Sequence, residues 1–143
     1  MADRTINVGV IGTGWIGEIR ARVCAAHPLV ESLRLAEIDP EKLERVARET
    51  GAQTATSDYR ELLRRPDVDA IFVCTTPETT HYPIAKDCLL ARKHTFLEKP
   101  MGLALKEGDK LEVRRSPNRV FLIRNPKMDY FAILRQKLHW GER

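Results

Sequence analysis

The sequence is poor in the features that staple a chain or carry it across a lipid bilayer. Its three cysteines, Cys24, Cys74 and Cys88, are odd in number and scattered, with no C-x-x-C pair and no His at ligand spacing. A disulfide framework or a zinc site is therefore not expected, no metal ligands are assigned, and buried thiols are the better reading. No apolar run approaches the roughly 20 residues that a membrane helix needs. The opening Met-Ala-Asp-Arg-Thr lacks the charged-then-apolar layout of a signal peptide, so a cytoplasmic location with no membrane partner is expected. Internal repeats and low-complexity linkers are missing as well.

What is present reads as one globular domain over residues 1–143, with 43% hydrophobic and 31% charged residues and enough length to bury a core. The net charge of +4 is uneven, because residues 110–143 carry nine Lys or Arg against three acids. A basic tail can mark a nucleic-acid surface. Here the charges interleave with Leu, Val, Ile and Phe, which favours a solvated face of helix and strand and no nucleic-acid partner.

The stretch that organises the rest is Thr5 to Gly17, T-I-N-V-G-V-I-G-T-G-W-I-G. An apolar run of strand length, Ile6 to Ile11, feeds Gly12-Thr13-Gly14-Trp15-Ile16-Gly17 and then a helical pattern. This is the G-x-G-x-x-G order of a dinucleotide-binding turn. Gly12 serves the tight turn, Gly14 lets backbone approach a pyrophosphate, and Gly17 lets the helix pack close to its strand. The alternative for three glycines taken alone is a plain glycine-rich turn. The order strand, motif, helix favours a nucleotide at the positive end of the helix.

The helix after the motif is expected to turn Ile16, Ile19, Val23 and Ala26 inward and to stop at Pro28. Strand two is read as Ser32 to Ile38. A helix follows, with Asp39 as its cap, Pro40 in its first turn, Leu43, Val46 and Ala47 on its inner face and Gly51 at its end. A short strand Gln53 to Thr56 and a helix Asp58 to Arg64 come next. Asp69 to Thr75 is nearly all apolar, as a strand covered on both faces reads. A helix from about Thr80 to Ala91 with Ile84, Cys88 and Leu89 inward, and a strand His94 to Leu97, complete the regular alternation. A helix over 105–115, a strand over 120–124 and an amphipathic closing segment with Phe131, Leu134 and Leu138 are expected beyond it. The pattern implies an α/β fold: a doubly wound parallel sheet with helices on both faces.

Ligands of such sheets bind outside the carboxyl ends of the strands. At the end of strand two, Glu37 stands 20 residues past Gly17, where an acid accepts the ribose hydroxyls. Its alternative is an ordinary charge beside a helix start. A carboxylate there repels a 2′-phosphate, Ile38 adds no positive charge and Arg34 lies too early in the strand, so NAD is favoured over NADP. Thr75-Thr76-Pro77-Glu78-Thr79-Thr80-His81 follows the next long strand and offers hydroxyls to a nicotinamide ribose. For His81 the alternative is a first-turn helix residue with no ligand. Glu98-Lys99-Pro100 ends the fifth strand, and two ionisable groups there are either a structural pair or in use, Lys99 being placed to move a proton.

With these stretches in order, V-G-V-I-G-T-G-W-I-G, L-A-E-I-D-P-E-K-L, T-T-P-x-x-x-H and K-H-T-F-L-E-K-P, the chain resembles the N-terminal half of the glucose-fructose oxidoreductase and inositol dehydrogenase (Gfo/Idh/MocA) family. The resemblance implies a Rossmann-type domain that binds NAD or NADP. It gives Lys99 a role in proton transfer as the catalytic residue. It gives cofactor contacts to Gly12, Gly14, Trp15, Ile16, Gly17, Glu37, Glu98 and Lys99, and places Thr75, Thr76, Pro77 and His81 around the nicotinamide ribose. It further implies a sugar, polyol or cyclitol substrate and a homo-oligomeric full-length protein. Two departures stand out. Arg92 replaces the glycine usual before the K-H pair, and Asn125 to Tyr130 replaces a Gly and an Arg-rich segment. Members continue into a second α/β domain, and Gly141-Glu142-Arg143 falls about where it begins, so the substrate half is expected to be missing and turnover by this chain alone to be low. Competing readings are a non-catalytic nucleotide-sensing or partner-binding module and, less well matched, another nicotinamide-dependent family such as the amino-acid dehydrogenases.

Overall fold

The computed structural model describes residues 5–100 and the two short backbone segments 115–116 and 119–120. Five strands, β1 (Ile6–Ile11), β2 (Val30–Ala36), β3 (Thr54–Thr56), β4 (Ala70–Val73) and β5 (His94–Leu97), form one sheet in the order β3-β2-β1-β4-β5. All four pairings are parallel. Four helices connect them: α1 (Trp15–Ala26), α2 (Pro40–Thr50), α3 (Tyr59–Arg64) and α4 (His81–Leu90). The order reverses at β1, whose carboxyl end is therefore the switch point where this kind of sheet leaves a crevice.

The alternation of side chains along β1 and β2 builds two cores. Val8, Val10, Leu33 and Leu35 face Ala21 and Cys24 of α1 and Val46 of α2. Ile11 and Ala36 point the other way, onto Leu62 of α3 and Ile84 and Cys88 of α4. A strand covered on both faces is mostly apolar, which is why β1 is apolar from Val8 to Ile11. The expected doubly wound sheet is the observed one.

Two helix faces differ from expectation. Along α1 the buried residues are Gly17, Ala21 and Cys24, whereas Ile19 is 38% and Val23 59% exposed. Both sets repeat at helical spacing, one residue out of phase. The small set wins because Gly17 brings the helix into contact with the β1 turn, and branched side chains facing the sheet would hold it off. In α4, Leu89 is 53% exposed, and the buried stripe runs His81, Ile84, Ala85, Cys88. A polar residue at the first turn completes that stripe.

The helix ends follow local chemistry. Asp39 accepts hydrogen bonds from the Glu41 and Lys42 amides at 3.1 and 3.2 Å, and Gly51 closes α2 at φ 65°. At the end of α4, the Lys93 and Arg92 amides donate to the Cys88 and Leu89 carbonyls, and Arg92 itself sits at φ 59°. This is the Schellman arrangement, built on an arginine. Strands β6 (Arg115–Ser116) and β7 (Arg119–Val120) pair antiparallel. Arg115 thus lies in a strand where the end of a helix is expected. The rest of that helix, the 120–124 strand beyond Val120, the closing segment and the Asn125 to Tyr130 departure lie outside the described residues.

Candidate functional site

At the carboxyl edge the ladder runs one residue past each strand. The Gly12 amide donates to Ala36, Glu37 to Thr56, Cys74 to Ile11 and Glu98 to Val73, all between 2.8 and 3.0 Å. The residues just beyond are thereby held at one rim. Gly12 turns the chain at φ 86°, and a Cβ there would lie 2.8 Å from the Cys74 carbonyl group. A Cβ on Gly17 would overlap the Gly12 carbonyl oxygen. Gly14 is the opposite case, with nothing within 4 Å of an added Cβ. It is the N-cap of α1 and carries no side chain to bond the first-turn amides, so those donors lack a side-chain cap.

Glu37 stands immediately after β2. Its Oε2 accepts from the Thr13 amide at 2.6 Å and the Thr13 hydroxyl at 3.1 Å, and its Oε1 accepts from the Asp39 amide at 3.1 Å. The carboxylate is thus fastened to the middle of the glycine motif. Asp39 caps α2 and pairs with Lys42 at 3.1 Å, and the bonds from Lys42 hold its carboxyl below the usual range.

After β4, the Thr75 and Thr80 hydroxyls share a 2.6 Å hydrogen bond, and the Thr80 hydroxyl donates to the Pro77 carbonyl at 2.7 Å. His81 is 2% exposed, with Nδ1 2.7 Å from the Pro100 carbonyl oxygen and Nε2 2.8 Å from that of Thr75. An imidazole with one N–H donates to one of these at a time. The Thr76-Pro77 and Lys99-Pro100 bonds are cis.

After β5, Glu98 is paired, though not with its neighbour. Its Oε1 accepts from Arg20 Nε at 2.9 Å and Nη2 at 2.6 Å, and the guanidinium lies 5.3 Å from the centre of the Phe96 ring. The structural Glu98–Lys99 pair is therefore not formed; the acid belongs to α1. Lys99 is exposed and has no hydrogen bond or ion pair among the described residues. Burial, with the nearby Glu98 charge, pushes the Cys74 thiol up to about 12.

A cleft of about 360 Å³ opens beside the glycine turn. Of the residues singled out from the sequence, Gly12, Gly14, Glu37, Thr75 and Thr76 line it. Trp15, Ile16, Gly17, Pro77, His81, Glu98 and Lys99 are not in its wall: Trp15 is 84% exposed and His81 is packed behind. Its wall also includes Lys42, Ser57, Tyr59 and Thr80. Ser57 directly follows β3, so the strand-end rule contained the signal for it. Tyr59 is fixed by donating its hydroxyl to Asp87 at 2.7 Å, a partner 28 residues on that no local pattern announces. Among the described residues, no cluster of His, Cys, Asp or Glu is arranged to hold a metal, and no helix is long and apolar enough to cross a membrane.

The donor set fits a dinucleotide: open space over a glycine at an uncapped helix start, with a carboxylate beside it. Residues 6–121 match the family described as an oxidoreductase family with an NAD-binding Rossmann fold. Myo-inositol 2-dehydrogenase of Thermotoga maritima is 32% identical over 106 residues, which are 74% of this chain and 31% of that protein. The structure of scyllo-inositol dehydrogenase from Lactobacillus casei with NAD(H) and scyllo-inositol superposes with a TM-score of 0.65 at 29% identity, covering 71% of this chain and 30% of that one. Levoglucosan dehydrogenase in complex with NADH gives a TM-score of 0.63 at 33% identity, over 69% and 28%. The chain thus spans about a third of the length of these relatives. A glycine turn of this geometry, the strand order and the matched residues agree, and the chain belongs to the Gfo/Idh/MocA oxidoreductase family as its NAD-binding Rossmann domain.

Proposed function

We propose that the cleft binds NAD(H) in preference to NADP(H), and that the chain supplies the cofactor half of a dehydrogenase acting on a sugar or polyol hydroxyl. The observation that carries this reading is the open space over Gly14 at the uncapped start of α1, with Glu37 fastened beside it. Amides of the first turn of α1 bind the diphosphate. Glu37 accepts from the adenosine ribose and disfavours a 2′-phosphate; Lys42, the cation nearest in the cleft wall, is already engaged by Asp39. Thr75 and Thr76 orient the ribose at the nicotinamide end. When bound, the nicotinamide supplies the hydride acceptor or donor. Lys99, without a partner among the described residues, takes the hydroxyl proton on Nζ or returns it. The substrate class rests on the inositol and levoglucosan dehydrogenases among the relatives.

Fluorescence titration with NADH and NADPH tests the reading. Saturable binding with NADH the tighter ligand is expected. Equal or tighter NADPH binding overturns the preference, and absence of binding to either overturns the reading itself.

A further inference from the structure

The turn Glu98-Lys99-Pro100 is gripped from two helices that lie on opposite faces of the sheet. From the α1 side, Arg20 donates two hydrogen bonds to Glu98 Oε1, and its planar group is braced against Phe96. From the α4 side, the His81 ring reaches the Pro100 carbonyl oxygen with Nδ1 and the Thr75 carbonyl oxygen with Nε2. Glu98 is nearly buried, with a side chain 12% accessible, so the pair is more than a surface ornament. Lys99, between the two gripped residues, has no partner of its own among the described residues. Its place is therefore set by its neighbours. The second His81 contact ties the same turn to Thr75, which lines the cleft.

We propose that Arg20 and His81 are a pair of positioning residues that fix the Glu98–Pro100 turn, and with it Lys99, against the end of β4 without touching the cofactor themselves. This rests on the cofactor reading above for its consequence, and on the contacts alone for its mechanism. A lysine on an unheld turn samples many positions, and proton transfer and nicotinamide contact both depend on geometry at the ångström level. Arginine suits the α1 side because its fork meets one carboxylate oxygen through two N–H groups while its charge lies over a ring, which lysine cannot do as well. Histidine suits the α4 side because it is the one side chain that presents two ring nitrogens on opposite edges, here to two carbonyls. Amide exchange measured without any cofactor separates this role from direct cofactor binding.

The test uses the whole chain with Arg20→Met, Arg20→Lys, His81→Gln and His81→Phe, and two readouts. Hydrogen exchange of the 94–100 segment reports the grip without any cofactor; the Glu98 amide, which donates to the Val73 carbonyl, is expected to exchange about tenfold faster in Arg20→Met and His81→Gln while the β1 and β2 amides stay unchanged. Titration with NADH and with ADP-ribose, which lacks the nicotinamide, reports the consequence; NADH binding is expected to weaken about fivefold with ADP-ribose within about twofold, and Arg20→Lys to recover part of the loss. His81→Phe keeps the ring volume and removes both ring nitrogens, and with them the N–H donor, so it should match or exceed His81→Gln. Unchanged exchange at Glu98, or acceleration spread evenly over the sheet, overturns the proposal. Parallel loss of NADH and ADP-ribose binding does so too. If the unaltered chain binds neither ligand, the cofactor reading falls, and the exchange readout still decides the grip.

Discussion

The carboxylate of Glu37 is bound by Thr13: one oxygen accepts both the Thr13 amide at 2.6 Å and the Thr13 hydroxyl at 3.1 Å. The acid proposed to face the ribose is thus also a strut of the glycine turn. Replacing Glu37 by Gln keeps an oxygen acceptor for Thr13 and removes the charge. Relative affinity for NADPH over NADH is expected to rise about tenfold in Glu37→Gln, since like-charge repulsion at the 2′ position is gone. Competitive titration of the two dinucleotides measures it. An unchanged ratio would mean that the carboxylate does not face the 2′ position.

The three motif glycines separate by what a methyl group would meet. Gly14→Ala places its Cβ in open space, so stability should stay within about 0.5 kcal/mol while dinucleotide affinity drops at least tenfold, because the methyl occupies the approach to the α1 amides. Gly17→Ala overlaps the Gly12 carbonyl oxygen and should cost about 3 kcal/mol or more by forcing α1 away from β1. Urea unfolding beside NADH titration tells the two apart. Equal loss of stability in both variants would contradict the open space seen at Gly14.

Much of this site is legible in the sequence because each glycine and acid answers a backbone requirement that is local. Gly12, Gly14, Glu37 and the two threonines sit where strand ends put them, and strand ends are marked by apolar runs. The inward face of α1 was not legible on hydrophobicity, because Gly17, Ala21 and Cys24 are chosen for smallness against the sheet. The partners of Glu98 and His81 escape for a different reason: Arg20 is 78 residues away in the chain and Pro100 lies 19 beyond His81. Spacing rules read along the chain, whereas these contacts run across the sheet.

Arg92 occupies a left-handed conformation at φ 59° in the turn that ends α4. A side chain there costs roughly 1–2 kcal/mol that glycine avoids, set against the greater freedom glycine has when unfolded. Arg92→Gly is expected to stabilise the chain by about 1 kcal/mol and to raise Tm by several degrees. Thermal melts followed by circular dichroism check it. A lower Tm would mean that the arginine side chain makes a compensating contact.

Glu18 links α1 to α2. Hydrogen bonds from Arg45 and Arg22, at 2.7 and 2.8 Å, bring its carboxyl down from 4.5 to about 2. A depressed carboxyl stabilises the fold while it is ionised, fully above the unfolded value near 4.5, and the contribution fades as pH falls toward 2. Because the cluster is partly solvated, about 1 kcal/mol is a suitable scale. Glu18→Gln should be less stable than the parent by that amount at pH 7, with the gap closing below pH 4.5. Urea midpoints from pH 7 down to about pH 2 trace the convergence; a gap undiminished at the lowest pH would assign the effect to packing instead.

The thiols offer a probe of the turn itself. Burial pushes Cys74 and Cys88 up to about 12 and raises Cys24 as well, and only the thiolate is a good nucleophile. A disulfide reagent at pH 8 should find almost no fast-reacting thiol in the folded chain and all three in denaturant. Cys74 lies beneath the glycine turn, its Cβ 3.2 Å from where a Gly17 methyl would stand, so it can react only when α1 and that turn part from β4. A dinucleotide bound at the turn opposes that opening. Saturating NADH at about 100 times Kd should then slow Cys74 labelling about a hundredfold by mass action. If Cys74 labels through this local opening and Cys88 through global unfolding, Cys74 reacts first without ligand, and NADH slows both by the same factor because either opening releases it. Fast labelling of Cys74 that NADH leaves unchanged would place the bound cofactor away from the turn.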